Sequence, residues 1–387
     1  MTTTVLAVFA VVYLGMILGG LPFLQLDRTG VALLGAIALV ALGALTPEQA
    51  ALSIHLPTLL LLFSFMVISA QMRLGGFYTR VTLDLADLRV SPPALLALVI
   101  AVVGTLSAVF SNDVICLAIA PVLADACLAR RLDPVPYLLG LACAANVGSA
   151  ATLIGNPQNM LVGQVLELSF PGYFLEAIVP VLLGLAATWG ILAWQTRGRW
   201  RTVLDDPPPE RRHDYAVYNR WQTAKGLGVA SALVGAFLLS DVPREVAALA
   251  GAGLLLMSRR LHSHKMLGLV DWELLILFIG LFVVNHALAQ TGLAAGALAW
   301  LGGAGVPLTD TGPLFVVTLV LSNVVSNVPA VMLLLPAATE PFSGPMLALV
   351  STLAGNLLIV GSIANIIVVD AARRRGIAID WRTHART

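Results

Sequence analysis

Charge is scarce in this 387-residue chain: 11% of its residues are Asp, Glu, Lys or Arg. An ordinary soluble domain carries about a quarter, so this chain has too few to clothe a water-facing surface. The formal net charge of +1 gives no basis for a nucleic-acid or acidic partner. Cysteine is nearly missing too. Cys116, Cys127 and Cys143 all lie in apolar segments without metal-type spacing and read as small core residues. The start, Met1-Thr2-Thr3-Thr4, lacks the basic residues of a signal peptide, so the first apolar run is expected to be a retained span. No His-Glu-x-x-His, Gly-x-Ser-x-Gly or Walker loop occurs, and no Asp pair has matched helical context. An intramembrane enzyme and an ATP-driven pump are therefore not expected. Alternating strands of about ten residues, the mark of a membrane barrel, are not seen.

What is abundant is hydrophobic sequence, 58% of the chain. Apolar runs recur from end to end at roughly the length that crosses ~30 Å of hydrocarbon. With barrel strands excluded, the spanning elements are helices. Expected spans are 5–26, 31–45 and 56–72, followed by an amphipathic stretch with Arg73, Arg80, Asp84, Asp87 and Arg89. Two apolar arms, 94–110 and 114–128, are separated by Ser111-Asn112-Asp113. A helix from 136 runs into a Gly-rich polar break and resumes to 166, and 173–194 closes the first half. A polar linker, 196–221, contains Asp205-Asp206-Pro207-Pro208-Pro209-Glu210-Arg211-Arg212. The second half repeats the order: 224–239, 246–257, 274–289, arms 314–321 and 331–338, then 346–360 and 363–370. If each pair of arms returns to its own side, one face holds 21 of the 22 Lys and Arg residues, all but Arg244. The positive-inside rule makes that face cytoplasmic, with the N-terminus outside and the C-terminus inside. Charge does not separate a re-entrant hairpin from two full spans. The second pair is too short for two spans, whereas the first pair rests on symmetry.

That symmetry is in the polar residues. Ser111-Asn112 lies ten residues before Pro121, and Ser326-Asn327 ten before Pro336. Asn146 precedes the break Gly155-Asn156-Pro157-Gln158-Asn159. Asn356 precedes Gly361-Ser362-Ile363-Ala364-Asn365, with the same Gly-to-Asn spacing. An odd number of spans separates equivalent points, so the second copy is expected to be inverted, as in secondary transporters. A Gly/Asn/Pro break inside an apolar run frees backbone groups that lipid leaves unsatisfied, so it must face protein or a water-filled cavity. Half-helix ends then suit anions, and freed carbonyls with Asn or Ser oxygens suit a small cation. A single such Asn could be interhelical glue. Seven of them, Asn112, Asn146, Asn156, Asn159, Asn327, Asn356 and Asn365, at two tips and two breaks point to a binding site.

The run Asn146-Val147-Gly148-Ser149-Ala150-Ala151-Thr152-Leu153-Ile154-Gly155-Asn156-Pro157-Gln158-Asn159, with Ser111-Asn112-Asp113 and the preceding Pro134-Val135-Pro136, resembles the ion transporter superfamily. That group holds divalent anion/sodium symporters, arsenite permeases, citrate–metal carriers and sodium/proton antiporters. The chain most resembles small bacterial anion permeases that share the Gly-Asn-Pro-Gln-Asn break and the Ser-Asn-Val-Pro tip. The resemblance implies an all-α polytopic membrane protein with two re-entrant hairpins, two broken helices and an elevator movement. It also implies a homodimer, a bacterial inner-membrane location and no resident cofactor. Two residues depart from the family's Ser-Asn-Thr tips, Asp113 and Val328, and no final span follows Asp370.

The expected organisation is a first inverted repeat over 1–195, with an inner hairpin 94–128, a broken helix 136–166 and a closing span 173–194. The linker follows, and 222–387 forms the second repeat, with an outer hairpin 314–338 and a broken helix 346–370. Expected substrate and ion ligands are Ser111, Asn112, Asp113, Asn146, Gly148, Thr152, Gly155, Asn156, Asn159, Ser326, Asn327, Asn356, Gly361, Ser362 and Asn365. If Na⁺ is the coupling ion, Ser111, Asn112, Asn146, Ser326, Asn327 and Asn356 would hold it. If H⁺ is, Asp113 is the candidate carrier, because an ionised carboxylate within the membrane needs a compensating cation or proton. Asp125 is expected to pair with Arg130 or Arg131, and His286 to pack. The expected function is secondary transport of a small anion such as a dicarboxylate, an oxyanion or arsenite. A sodium/proton antiporter is the alternative, and a channel is a more distant one.

Overall fold

The computed structural model describes residues 1–21, 24–201, 217–258, 260–385 and 387. The charged run at 205–212 expected in the linker lies outside the described residues. The chain is helical almost throughout. In the first half, α1 (Thr2–Leu18) and α2 (Arg28–Ala41) flank a two-residue ladder of β1 (Gly20–Leu21) and β2 (Leu26–Asp27). Next come α3 (Pro47–Leu52), α4 (Leu56–Leu74), α5 (Phe77–Asp87), α6 (Pro92–Val109) and α7 (Asn112–Ala129). The half ends with α8 (Pro134–Ser149), α9 (Pro157–Val165) and α10 (Phe170–Gln195). The second half holds α11 (Arg220–Leu239), α12 (Arg244–Leu256), α13 (Ser263–Leu267), α14 (Trp272–Gln290) and α15 (Leu293–Gly303). It continues with α16 (Thr311–Val325), α17 (Asn327–Leu334), α18 (Ser343–Ala354), α19 (Ile363–Arg373) and the short α20 (Trp381–Ala385).

Six of these helices, α4, α6, α7, α10, α11 and α14, are long and apolar enough to cross a membrane. Their backbone groups bond internally, as hydrocarbon requires. Helix α10 is the longest at 26 residues, and much of its surface is outward-facing Leu, Val and Trp, including Leu175, Leu183 and Trp194. Opposite in character are α8 and α18, which are apolar on all sides and buried on almost all of them. These two half-helices are the centre of the molecule.

Packing around them follows one scheme twice. Helix α8 packs on α6, α7 and α19, while α18 packs on α16, α17 and α9. The outer contacts also exchange between halves: α4 lies on α11 and α12, and α14 on α1 and α2. The polar motifs legible as a repeat in the sequence therefore sit on helices whose contacts repeat as well. Helix α10 has no counterpart of its length among the described residues of the second half.

Both pairs of arms turn tightly at the expected tips, and the helices run closer to the turns than hydropathy alone predicts. Phe110 and Ser111 join α6 to α7, so Asn112 and Asp113 lie in the first turn of α7. Ser326 by itself joins α16 to α17, because the helices run on through Ser322, Asn323 and Asn327. At 18 residues each, α6 and α7 are about 27 Å long, so length alone leaves the first pair as either a hairpin or two crossings. The second pair is shorter, 15 and 8 residues, with a 3-10 turn at Leu335–Ala337. Helix α15 is an addition to the expected elements; its Ala/Gly-rich run has no buried residue.

Candidate functional site

Each broken helix stops at small residues and restarts at a polar cap. Helix α8 ends at Ser149, and the chain crosses 150–156 before α9 begins at Pro157. Asn156 caps the restart, its side-chain oxygen accepting from Asn159 N at 2.9 Å, and Pro157 follows with its fixed φ and no N–H to waste. In the second half α18 ends at Ala354, a single 3-10 turn spans Ile359–Gly361, and Ser362 precedes α19. Glycine is needed where the pieces touch. A Cβ on Gly148 would overlap the Gly104 backbone of α6, and one on Gly155 would strike the Ser149 backbone.

The tips dock against the breaks. Asn112 N donates to Gly155 O at 3.3 Å. Asn327 Nδ2 and Asn323 Oδ1 lie beside the positions that Cβ atoms on Gly355 and Gly361 would take. Asn146, on α8, is the hub. Its Oδ1 accepts from Asn112 Nδ2 at 3.2 Å and from Ser362 Oγ at 2.9 Å. Its Nδ2 donates to Asn356 Oδ1 at 2.8 Å and Asn365 Oδ1 at 3.0 Å. One buried amide thus joins the first tip, the second break and the start of α19.

A second knot lies behind the first break. Thr352 Oγ1, on α18, accepts from Asn156 Nδ2 and Gln158 Nε2, each at 3.2 Å, and sits 3.1 Å from Asn159 Oδ1. Asn159 Nδ2 donates to Thr152 O at 3.1 Å and Tyr173 OH at 3.0 Å. Tyr173 OH donates to Ala150 O at 2.8 Å, and Thr152 Oγ1 to Ala108 O at 2.5 Å. Carbonyls freed by the first break are therefore taken up by side chains of α9 and α10.

Among the expected ligands, Asn112, Asn146, Asn356, Ser362 and Asn365 meet directly, with Gly155 and Gly361 beneath the tips. Asn156, Asn159 and Thr152 belong to the second knot. The hydroxyls of Ser111 and Ser326 make no cap hydrogen bond. Asp113 is half-buried in the first turn of α7, where the helix end favours a carboxylate, without joining the asparagine cluster. Several participants were not expected from the sequence: Thr352, Tyr173, Gln158, Ser149 and Asn323. Asp125 pairs with Arg375 at 2.6 Å across the halves, whereas Arg130 donates to Ala86 O at 2.6 Å. His286 Nε2 lies 2.9 Å from Gln290 Nε2, and neighbouring Asn285 accepts from Tyr13.

Some buried atoms have no protein partner, and they too come in matched sets. Ser107 Oγ and Asn112 Oδ1 are unsatisfied at the first tip; Ser322 Oγ, Asn323 Oδ1 and Asn327 Oδ1 are unsatisfied at the second. Each orphaned group at the tips is an oxygen. Such neutral oxygen sets suit a hard cation. Among the described residues no three His, Cys, Asp or Glu cluster as a transition-metal site would require. A cleft of about 1120 Å³ lies elsewhere, between α4, the end of α9 and the α11–α12 turn, and includes Glu167, Asp241, Arg244 and Glu245.

Residues 5–354 match the family described as citrate transporter. A silicon efflux transporter of Oryza sativa subsp. japonica is 28% identical over 95% of this chain and 89% of its own length. A 46 kDa membrane protein of Mycobacterium leprae is 30% identical over 92% of this chain and 89% of its own. A putative transporter of Dictyostelium discoideum, arsB, is 23% identical over 90% and 82%. The crystal structure of the Alcanivorax borkumensis YdaH transporter aligns with 98% of this chain and 91% of its own, at 15% identity and a TM-score of 0.49. The family, and the Oryza and Dictyostelium relatives, are described as transporters. With half-helices, paired tips and a buried amide cluster on a multi-pass membrane scaffold, this chain belongs to the citrate transporter family of the ion transporter superfamily.

Proposed function

We propose that the protein is a secondary active permease for a small anion, coupled to H⁺ or Na⁺, in a bacterial inner membrane. The observation that carries this reading is the Asn146 cluster. It gathers amides, hydroxyls and two broken backbones from both halves at one buried point, with no Lys or Arg in it. An anion there would be held by neutral donors and helix ends, binding it without the cost of burying a fixed cation. The orphaned oxygens at the two tips are the natural place for Na⁺, and Asp113 for H⁺. The two repeats are inverted, the paired arms are re-entrant hairpins, and alternating access follows from movement of that module, as an elevator within a homodimer. The N-terminus is outside and the C-terminus cytoplasmic.

A second reading, cation/proton exchange without an anion, is favoured by one observation: all the unsatisfied tip atoms are neutral oxygens able to face a cation. The deciding experiment is ligand stabilisation of the purified protein. Citrate, shorter dicarboxylates, oxyanions, silicic acid and arsenite are tested with and without sodium, and flux in proteoliposomes follows for any that stabilise. Stabilisation by an anion, followed by its transport, supports the permease. Proton movement with sodium alone, and no response to any anion, establishes exchange instead. Asp113→Asn then separates the coupling ions: loss of pH-driven accumulation with counterflow retained assigns H⁺, and unchanged accumulation removes Asp113 from coupling.

A further inference from the structure

The two breaks are closed by the same device built from different residues. In the first, Asn159 Nδ2 meets Tyr173 OH, and that hydroxyl satisfies the Ala150 carbonyl. Asn365 stands at the equivalent place in the second break, four residues after Gly361 as Asn159 is four after Gly155. Its Nδ2 donates to Gly355 O at 2.7 Å and Leu358 O at 3.2 Å, and lies 3.4 Å from His384 Nε2. The Asn356 backbone lies beside the ring and favours its protonated form. Both aromatic rings are buried, His384 at 1% exposure and Tyr173 at 2%. Both arrive from the segment that follows the broken helix.

The segments differ in strength. Tyr173 stands on the first turn of the 26-residue α10. His384 stands on the five-residue α20, which packs on the Ile359–Gly361 turn and is capped by Asp380 through Thr383 N at 2.6 Å. The tail joins α19 through Gly376, at φ +73, and is pinned by the buried Ile379. Neighbouring Trp381 and Arg382 are exposed, so His384 is the inward tooth of a small, otherwise surface-lying helix. Burial holds its imidazole below the ordinary histidine value, against the pull of the Asn356 carbonyl.

We propose that His384 is a positioning residue for the binding cluster, and that segment 377–385 is a detachable stopper over the second break. By bordering Asn365 at 3.4 Å and covering the Ile359–Gly361 turn beside Asn356, His384 backs two groups that meet Asn146. The proposal rests on the permease reading for its purpose, but not for its test. In a background with Cys116, Cys127 and Cys143 replaced, single cysteines are placed at Ser362 in the second break and at Thr152 in the first. Labelling of detergent-purified protein by a water-soluble maleimide is then timed. His384→Ala is expected to speed labelling at Ser362→Cys about tenfold, roughly the effect of losing one buried hydrogen bond on a local opening. Thr152→Cys should stay unchanged, and His384→Gln, which keeps a donor and an acceptor, should restore slow labelling. Unchanged labelling at Ser362→Cys overturns the proposal. So does equal acceleration at both sites, which reports general loosening.

Should His384→Ala fail to fold, hydrogen exchange of the unsubstituted protein decides. Segments 355–366 and 377–385 should open together, and faster than 148–160; a tail that exchanges freely over a protected second break overturns the stopper. No substrate is involved in either measurement. Failure of the permease reading would show instead as absent flux with the labelling pattern intact.

Discussion

The two breaks share a motif and differ in finish. All seven residues of the first break, 150–156, are buried; Asn159 and Tyr173 take up its carbonyls, Thr152 accepts from Ile154 N, and Thr352 accepts from the Asn156 amide. Within 355–362 of the second, Leu357, Leu358 and Val360 are 52%, 43% and 57% exposed, and closure rests on Asn365 and His384. The tips differ in the same sense. Ser111 is relaxed at φ −54, while Ser326 is held at φ +77, ψ 162, a region that is essentially glycine's. At the tips and breaks, strain and exposure thus fall together in the second half. The lesson is that a repeated motif need not do the same work twice: the first break is built as an anchor, and the second has the properties of a part that changes shape.

The sharpest way to break this comparison is Asn146→Ala against Asn356→Ala. Asn146 serves Asn112, Asn356, Ser362 and Asn365, whereas half-buried Asn356 meets it from the second break. Losing the hub should cut flux about 100-fold with the fold retained, and losing Asn356 about tenfold. Equal losses in proteoliposome counterflow would erase the anchor's primacy. Next come the glycines. Gly148→Ala forces a Cβ into the Gly104 backbone, whereas Gly361→Ala meets the movable Asn323 amide oxygen at 2.9 Å. Thermal unfolding should show Gly148→Ala costing about 2–3 kcal/mol and Gly361→Ala about 1 kcal/mol or less.

Tyr173→Phe removes one hydroxyl from the sealed break, leaving the Ala150 carbonyl and one Asn159 hydrogen bond unmet. A loss of about 1–2 kcal/mol is expected, read as a lower melting temperature. The smallest effects should differ in sign. Ser326→Gly relieves an unfavourable φ and should stabilise by about 1 kcal/mol, while Ser111→Gly gains only disorder and should destabilise by about 0.5–1 kcal/mol. Matching signs would mean that the two tips are not differently strained.

Much of this was legible in the sequence because it is written twice. The Ser-Asn tips, the Gly-to-Asn breaks and the hub residue Asn146 stand out against apolar runs, and the structure joins them. Thr352, Tyr173 and His384 were not legible, since each is a single polar residue whose partner depends on tertiary packing. The arms of the second pair were drawn too short for a related reason, although the tip at Ser326 was placed correctly: Ser322, Asn323 and Asn327 interrupt hydropathy without interrupting helix. Asp125 shows the limit of proximity along the chain. Arg130 and Arg131 are near in sequence, yet its partner Arg375 lies 250 residues away, because α7 packs on α19.

That distance problem is acute for Asn146 while the protein is being made. Its amide hydrogens end on Asn356 and Asn365, 210 and 219 residues further along the chain. At ~5–20 residues per second, roughly 10–40 s of synthesis separate donor from acceptor. A bare amide in hydrocarbon is costly for all of that time. Only Asn112, 34 residues earlier, is already at hand, and it occupies the oxygen side of the amide. Helix α8 therefore leaves the ribosome well before the acceptors of its amide hydrogens exist, a penalty of a few kcal/mol that falls on the first half until the second arrives. The order of translation makes the newborn first half an unfinished object.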